Sequence, residues 1–556
     1  MKSDIEIAQA AHLKPIREVA ASAGILEEEV ILCGNHKAKI SLNLLERLKS
    51  KGDGKLVVIT AMTPTALGEG KTTTAVGLSM ALTRLGISSI VTLREPSLGP
   101  VFGLKGGAAG GGSAQVLPME EINLHFTGDM HAVTSAHNLV SAVIDNHIYQ
   151  GNAMDIDPTQ VVFPRAMDMN DRALRDIVVA LGGTRHGIPR EDAFIITAAS
   201  EVMAVLSLSE SLGELKERLG SIIVAFTRRG EPVTVEDLAI RGAVAALLKN
   251  ALQPNLVQTV EHTPAFVHCG PFANIAHGTN SVVATKMALK LADVVVTETG
   301  FGSDLGAEKF FHIVAPRAGF RVHCVVIVAS LRALKLHGGA SKEQMGKTSI
   351  AALEMGLPNL LRHLENMNKF GVPTVVALNR FPGDSDEEVR FFTEYCSEKN
   401  IPSAVSEVFE RGGPGGRELA HLVHERVKTS DGTFSKLYTS NIAVEEKINT
   451  IAREIYRAED IVYQLQAKRD VRRIVDLGLD HLPVCMAKTP RSFSDDPKIY
   501  GAPEGFSVTI RKVSISAGAG FLVPIAGDIM LMPGLPKHPA AMDMDLDEGD
   551  MISGLF

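Results

Sequence analysis

A glycine- and threonine-rich stretch at residues 63–74, TPTALGEGKTTT, carries the residue types that bind phosphate. An apolar run at 55–62 precedes it, and a helical pattern at 71–85 follows it. Backbone N–H groups in such a turn, with the positive end of the next helix, can surround a phosphate. Lys71 would reach the β- and γ-phosphates of a nucleotide, and the Thr72 hydroxyl would bind Mg²⁺. The sequence therefore predicts a phosphate-binding loop.

The loop departs from the common pattern G-x-x-x-x-G-K-[ST] at one position, where Thr65 replaces the first glycine. Gly70, Lys71 and Thr72 match the pattern. An ordinary glycine-rich turn between a strand and a helix is the alternative interpretation. The preceding strand, the lysine and the run of threonines together favour a phosphate loop.

A second strand pattern, at 88–93, leads directly into Arg94 and Glu95. With the first strand and the helix it forms a βαβ unit. Residues at the carboxyl ends of parallel strands face the ligand crevice, so both side chains are placed to meet the phosphate loop. The planar guanidinium of Arg94 suits an oxyanion, and a structural ion pair with a nearby carboxylate is its alternative role.

Further along the chain, a glycine-rich block at 103–129 ends in HFTGD and predicts a long ordered loop close to a ligand. Three phenylalanines, Phe301, Phe381 and Phe409, lie in or next to glycine-rich or strand-end loops. An aromatic residue there belongs either to the core or to a surface on which a flat heterocycle stacks.

Composition limits the possible functions. The chain has 556 residues, a net charge of -8 and no basic tract, which argues against nucleic acid as the main partner. Its five cysteines are far apart, so a reduced, cytoplasmic setting is expected. The N-terminus lacks the apolar core of a signal peptide, and no apolar run reaches membrane-spanning length. No HExxH, Cys/His cluster or GxSxG motif is present.

Strand patterns alternate with helical patterns throughout, which predicts an α/β protein with mostly parallel sheets. Helices are expected at 5–20 and 171–181, among others, and a helix with a break near Pro358 is expected at 349–370. We expect a P-loop NTPase-like parallel sheet with helices on both faces, plus two further α/β domains. The predicted domains are 1–149 with about 290–360, then 150–289, and then 361–556.

Five long strings resemble those of the formate–tetrahydrofolate ligase family, and the resemblance covers essentially the whole chain. They are TPTALGEGKTTT, REPSLGPVFGLKGGAAGGGSAQVLPMEEINLHFTGD, FVHCGPFANIAHG, GFGSDLGAEKF and VASLRALKLHGG. The resemblance implies that ATP phosphorylates formate to formyl phosphate and that N10 of tetrahydrofolate then takes the formyl group, in one-carbon metabolism. It also implies Mg²⁺, a monovalent cation such as K⁺ or NH₄⁺, and a homotetramer.

The resemblance also implies roles for individual residues. Lys71 and Arg94 would bind the formyl phosphate intermediate, and Asp129 would lie near the reacting folate amine. Glu95 would lie near the monovalent cation. By the resemblance the folate would stack on Phe381 and Phe409, while Phe301 is a further folate-binding candidate because of its glycine-rich loop. The nucleotide phosphates would be held by Thr65, Ala66, Leu67, Gly68, Glu69, Gly70, Lys71 and Thr72.

The sequence departs from the family pattern at four positions. Ser113 stands where Tyr is expected, and Phe409 where Trp is expected. Ser330 and Leu331 stand where the family usually has Thr and Ile or Val. Because phenylalanine can still stack, the change at 409 bears on folate affinity more than on activity.

Two other classes of protein share such a phosphate loop. One is another ATP-dependent carboxylate-activating ligase, similar to dethiobiotin synthetase, which the glycine block and the aromatics disfavour. The other is a nucleotide switch similar to the partitioning ATPases, whose membrane-docking members often end in a basic amphipathic helix. This chain ends HPAAMDMDLDEGDMISGLF, which is acidic rather than basic, so the sequence disfavours the nucleotide switch.

Overall fold

The computed structural model describes residues 2–65, 68–104 and 109–555. Its centre is a twelve-stranded, mostly parallel sheet. Seven parallel strands, numbered here in chain order, form most of it in the spatial order β3-β2-β4-β1-β5-β6-β7. They are β1 (Lys55–Ala61), β2 (Ser89–Leu93), β3 (Pro264–Val267), β4 (Val294–Glu298), β5 (Cys324–Ala329), β6 (Thr374–Asn379) and β7 (Ser403–Ser406).

Five antiparallel or short strands complete the sheet beyond β3. Asn255–Thr259 pairs antiparallel with β3 and with Ala38–Ile40, which in turn pairs with Val30–Leu32. The end of the glycine-rich block forms a hairpin of Gly110–Gly111 and Ala114–Leu117, which joins the same strand. The block predicted to be a loop is thus partly built into the sheet.

The central strand β1 shows why the sheet is parallel and buried. Its residues from Leu56 onward are all fully buried, and alternate residues belong to different apolar cores. Leu56 and Val58 lie in one core, and Val57 and Ile59 in the other. A strand with both faces covered needs this uninterrupted apolar run, which the sequence supplies.

Helices cover both faces of the sheet. The helix that follows β1, α1 (Lys71–Arg84), packs in one core, whereas Val282–Leu291 packs in the other. Within the described ranges, no helix is long and apolar enough to cross a bilayer. The remaining helices are Asp4–Ala10, Ile16–Ser22, Asn43–Arg47, Leu98–Gly103, Met119–Asn123, Asp129–Tyr149, Glu201–Leu208, Leu212–Gly220, Arg241–Leu248, Ala315–Ala318, Leu331–His337, Ile350–Lys369, Asp386–Glu398, Val408–Arg411, Arg417–Thr429, Val444–Ile451 and Leu465–Asp476.

Smaller sheets lie outside the central one, and their pairing is mainly antiparallel rather than parallel as predicted. The longest pair is Ser507–Ser516 with Phe521–Ala526. The other short strands are Ile156–Val161, Arg165–Met167, Ile177–Val179, Arg190–Asp192, Phe194–Ile196, Ile223–Thr227, Pro232–Thr234, Asp460–Tyr463, Asp545–Leu546 and Ile552–Ser553.

Three helix predictions need correction. Residues 171–181 form no α-helix: a strand at Ile177–Val179 pairs with Arg190–Asp192, which agrees with its β-branched residues. The helix predicted at 5–20 is two helices, because the proline at 15 disfavours helical backbone at the preceding residue. The break predicted near Pro358 does not occur, since Ile350–Lys369 is one continuous helix.

A buried ion pair fixes the C-terminal part of the chain to the loop after β4. The Nζ of Lys488 lies 2.9 Å from an Asp304 carboxylate oxygen, and both side chains are fully buried. Lys488 also donates a hydrogen bond to the Thr489 carbonyl at 3.0 Å. Burial lowers the pKa of Lys488, and the Asp304 carboxylate opposes this shift.

Replacing Lys488 with methionine is expected to lower the free energy of unfolding by about 3–5 kcal/mol, because the Asp304 carboxylate loses its buried partner. Chemical denaturation monitored by circular dichroism measures this. The double variant Lys488→Met/Asp304→Asn should recover part of the loss, since a neutral amide costs less to bury. A single variant as stable as the wild type would show that the pair does not hold the C-terminal part.

Candidate active site at the carboxyl edge of the sheet

The predicted phosphate loop joins β1 to α1 at the carboxyl edge of the sheet. Gly68 and Gly70 have φ values of 78° and 73°, and the helix begins at Lys71. A Cβ placed on Gly70 would lie 2.2 Å from the Nδ2 atom of Asn379, so only glycine fits there. The predicted site residues Ala66 and Leu67 lie outside the described residues.

Glu69, which is itself a residue of the phosphate loop, stabilises the loop through hydrogen bonds. Its buried carboxylate accepts a 2.7 Å hydrogen bond from the Thr65 backbone N–H and another from the Ser330 hydroxyl. Asn379, at the end of β6, donates to the Glu69 carbonyl at 3.1 Å. The loop is therefore tied to the ends of β5 and β6. Ser330, which replaces the threonine expected from the family, still supplies a hydroxyl.

Glu298, at the end of β4, contacts both Thr72 and Arg94. Its Oε2 atom accepts a 2.7 Å hydrogen bond from the Thr72 hydroxyl. Its Oε1 atom lies 3.5 Å from the Nε atom of Arg94, and Glu298 is only 1% exposed. Arg94 therefore forms an ion pair with a nearby carboxylate, which was the alternative to an oxyanion-binding role. This ion pair lies beside the phosphate loop.

The electrostatic environment of Lys71 reflects this arrangement. Burial lowers the pKa of Lys71, while the carboxylates of Glu298 and Glu69 oppose this shift. The guanidinium of Arg94 lowers the pKa further. Two cations and two carboxylates therefore lie within electrostatic range of each other, and the cations are placed to receive an added anion.

Glu95 interacts electrostatically with a second polar cluster, which contains Asp129 and Lys39. Burial and the Asp129 carboxylate raise the pKa of Glu95 well above its usual value, while Lys39 opposes the shift. The Oε2 atom of Glu95 is buried and has no hydrogen-bond partner among the described residues. The two adjacent residues Arg94 and Glu95 therefore serve different clusters.

Asp129 is the first residue of the helix Asp129–Tyr149 and is held by two buried side chains. The Nζ atom of Lys39 lies 2.7 and 2.9 Å from its two carboxylate oxygens. The Nδ2 atom of Asn255 donates to the carboxylate at 2.8 Å. His268 lies nearby, with its Nε2 atom 3.9 Å from the carboxylate. The sequence patterns gave no role to Lys39 or Asn255.

The three phenylalanines all follow parallel strands but have different neighbours. Phe301 has a φ of 58°, a conformation uncommon for a bulky residue, and follows Gly300 beside the Arg94 side chain. The Cζ atom of Arg332 lies 4.7 Å from the Phe381 ring centroid, in a cation–π contact. The Phe409 carbonyl accepts a 2.7 Å hydrogen bond from the Ser113 N–H of the glycine hairpin.

Oxygen donors at the site suit the cations that the sequence predicts. The Thr72 hydroxyl and the Glu298 carboxylate are oxygen donors, as Mg²⁺ requires. The partnerless buried oxygen of Glu95 fits a cation as well. In the part of the chain that the structure describes, no group of three or more His, Cys, Asp or Glu side chains forms a metal cage.

A polar site at the carboxyl edge of a parallel sheet, where a glycine turn opens a helix, is typical of α/β proteins that bind anionic ligands. The family model described as formate–tetrahydrofolate ligase matches residues 2–556, and the chain belongs to this family. It is accordingly an ATP-dependent ligase that joins formate to tetrahydrofolate in one-carbon metabolism. Family membership agrees with the resemblance found in the sequence.

Proposed function

We propose that the ligase reaction takes place at the carboxyl edge of β1, β2 and β4 and passes through formyl phosphate. The observation that carries this proposal is the position of Arg94 beside Glu298, which also accepts the Thr72 hydroxyl and lies within electrostatic range of Lys71. Residues 65–72 would bind the ATP phosphates, in the manner of a P-loop.

In the first step, a formate oxygen attacks the γ-phosphorus of ATP, the bond to the bridging oxygen breaks, and ADP leaves. Formate and the γ-phosphate are both anions, so the positive charges of Lys71 and Arg94 lower their repulsion. The resulting formyl phosphate is a mixed anhydride that water would hydrolyse, so the site would have to limit the access of water during the reaction.

In the second step, N10 of tetrahydrofolate attacks the formyl carbon and the bond from this carbon to the phosphate oxygen breaks. The departing phosphate takes the proton that N10 loses. Asp129 would stabilise the positive charge that develops on N10 as the new C–N bond forms. Lys39 and Asn255 support this role because they fix the orientation of the Asp129 carboxylate. Lys71 and Arg94 would stabilise the departing phosphate.

The cation roles follow from the available oxygen donors. Thr72 and Glu298 would hold Mg²⁺, which supplies positive charge to the ATP phosphates. Glu95 would take part in the monovalent-cation site, since its buried oxygen needs a partner. K⁺ or NH₄⁺ is the expected ion.

Folate binding is assigned to the three aromatic loops. Phe301, Phe381 and Phe409 all follow carboxyl ends of the parallel sheet, where a flat pterin could stack on their rings. We assign the nucleotide to residues 1–149 with about 290–360, and the folate-binding loops to 361–556, with a second α/β part at 150–289. Because β3, β6 and β7 belong to the central sheet, these three parts share one sheet. A cytoplasmic homotetramer is proposed from family membership.

ADP release tests the proposed function in three mixtures: ATP alone, ATP with formate, and ATP with formate and tetrahydrofolate. The proposed ligase sustains ADP release only in the third mixture, and 10-formyltetrahydrofolate forms in equal amount. Equal rates in all three mixtures would instead indicate a nucleotide switch. Sustained release without tetrahydrofolate would indicate a different carboxylate-activating ligase.

A further inference from the structure

The phosphate loop begins at Thr63, a fully buried residue just after β1 whose polar groups are all engaged. Its hydroxyl accepts a 3.0 Å hydrogen bond from the Nδ2 atom of Asn359. Its carbonyl oxygen lies 3.0 Å from the Nε2 atom of His337, and its hydroxyl lies 2.9 Å from the Nε2 atom of His363. Side chains from two other helices therefore fix the start of the loop.

His337 makes one of these contacts in a single tautomer. Its Nδ1 atom accepts a 3.0 Å hydrogen bond from the Gly501 N–H, so its Nε2 atom carries the proton and donates to the Thr63 carbonyl. Burial lowers the pKa of His337 to about 4, which keeps this ring neutral. The contact also links the loop to the C-terminal part of the chain.

His363 makes the more informative contact, because its second nitrogen reaches another loop. Its Nδ1 atom lies 2.7 Å from the Ser303 hydroxyl, and its ring lies 4.6 Å from that of Phe493. The ring is fully buried, and burial lowers its pKa to about 3. A neutral imidazole has one donor and one acceptor nitrogen, so it can serve both hydroxyls at once.

The two bridged loops come from neighbouring strands. β1 and β4 pair as far as Ile59 and Glu298, and Thr299 donates a last backbone bond to Ile59 at 2.8 Å. Beyond these residues the backbone ladder between the two strands ends. One chain enters the phosphate loop through Thr63, and the other passes Phe301 before it reaches Ser303.

We propose that His363 is a positioning residue that keeps the nucleotide-binding and folate-binding loops in fixed register through Thr63 and Ser303. The inference rests on the proposed roles of these two loops. Either loop can bind its own substrate without the bridge, but transfer of the formyl group needs both substrates aligned. A displacement of about 1 Å can cost on the order of 100-fold in rate.

Replacing His363 with glutamine tests this bridge selectively, because it removes only one of the two contacts. Glutamine places its amide nitrogen near the position of the histidine Nε2 atom, so His363→Gln keeps the Thr63 contact and loses the Ser303 contact. Ser303→Ala loses the same contact from the other side. If the two side chains act through one bridge, the double variant should be no worse than either single variant.

The experiment measures kcat and the KM of each substrate for the wild type, His363→Gln, Ser303→Ala and the double variant, together with MgADP affinity by calorimetry. We expect kcat to fall about 10-fold in each single variant and in the double variant, with MgADP affinity within about threefold of the wild type. His137→Gln is the matched control. His137 is also buried and bonded to a serine hydroxyl at 2.7 Å, and it stacks on Phe163 at 4.1 Å.

Losses that multiply in the double variant, or a kcat of His363→Gln equal to that of His137→Gln, would overturn the inference. Ser303→Ala keeps the test decisive if His363→Gln does not fold, since normal turnover in that variant also contradicts the bridge. A failure of the proposed function is seen separately, because the wild type itself would then show no dependence of ADP release on formate and tetrahydrofolate.

Discussion

Replacing Lys71 with alanine is expected to lower kcat for 10-formyltetrahydrofolate synthesis by about 100-fold or more. Lys71 lies within electrostatic range of Arg94 and Glu298, where the γ-phosphate and formate would meet, and one such electrostatic interaction typically contributes this much. Formate-dependent ADP release measures the effect. The KM for ATP should also rise, because Glu69 and Glu298 would then face the phosphates with one cation fewer.

The fold should tolerate this change, since Lys71 is the first residue of α1 and alanine favours helix. Lys290→Ala is a matched control, because that lysine lies 2.8 Å from Asp53 at the opposite edge of the sheet. Its turnover should equal that of the wild type. Near-normal turnover in the Lys71 variant, with an unchanged melting temperature, would remove Lys71 from the proposed mechanism.

The central sheet was predictable because its strands are buried on both faces. The strand patterns predicted at 55–62 and 88–93 differ by one residue from the observed bounds of β1 and β2. Their order in the sheet was not predictable, since the pairing of β1 with β4 joins residues more than 230 positions apart. Local periodicity carries no information about such partners.

Part of the site followed from one rule, that carboxyl ends of parallel strands meet at one edge. The rule placed Arg94 beside the phosphate loop, and applied to β4 it also indicates Glu298. Lys39 could not be found in this way. It lies in a short antiparallel strand, 90 positions before Asp129, and its type and surroundings in the sequence resemble those of any surface lysine.

Glu298→Gln is expected to lower kcat by about 100-fold and to raise the Mg²⁺ concentration needed for half-maximal activity. The change removes one negative charge and keeps the size of the side chain, while one acceptor oxygen is replaced by an NH₂ donor. Because Glu298 accepts the Thr72 hydroxyl at 2.7 Å and is buried, a loss of charge there acts directly on the proposed Mg²⁺ position. Arg94 also loses its partner at 3.5 Å.

Two measurements separate these effects. Calorimetric titration of ADP with and without Mg²⁺ reports the metal contribution to binding, which should shrink in Glu298→Gln and in Thr72→Val. The double variant should then lose little more, since both residues would hold the same ion. Glu210→Gln, which removes a half-buried carboxylate 2.6 Å from Lys286, should leave Mg²⁺ dependence unchanged. An unchanged Mg²⁺ contribution in Glu298→Gln would show that this carboxylate interacts with Thr72 and Arg94 but does not bind Mg²⁺. The Mg²⁺ ligand would then lie elsewhere along the carboxyl edge.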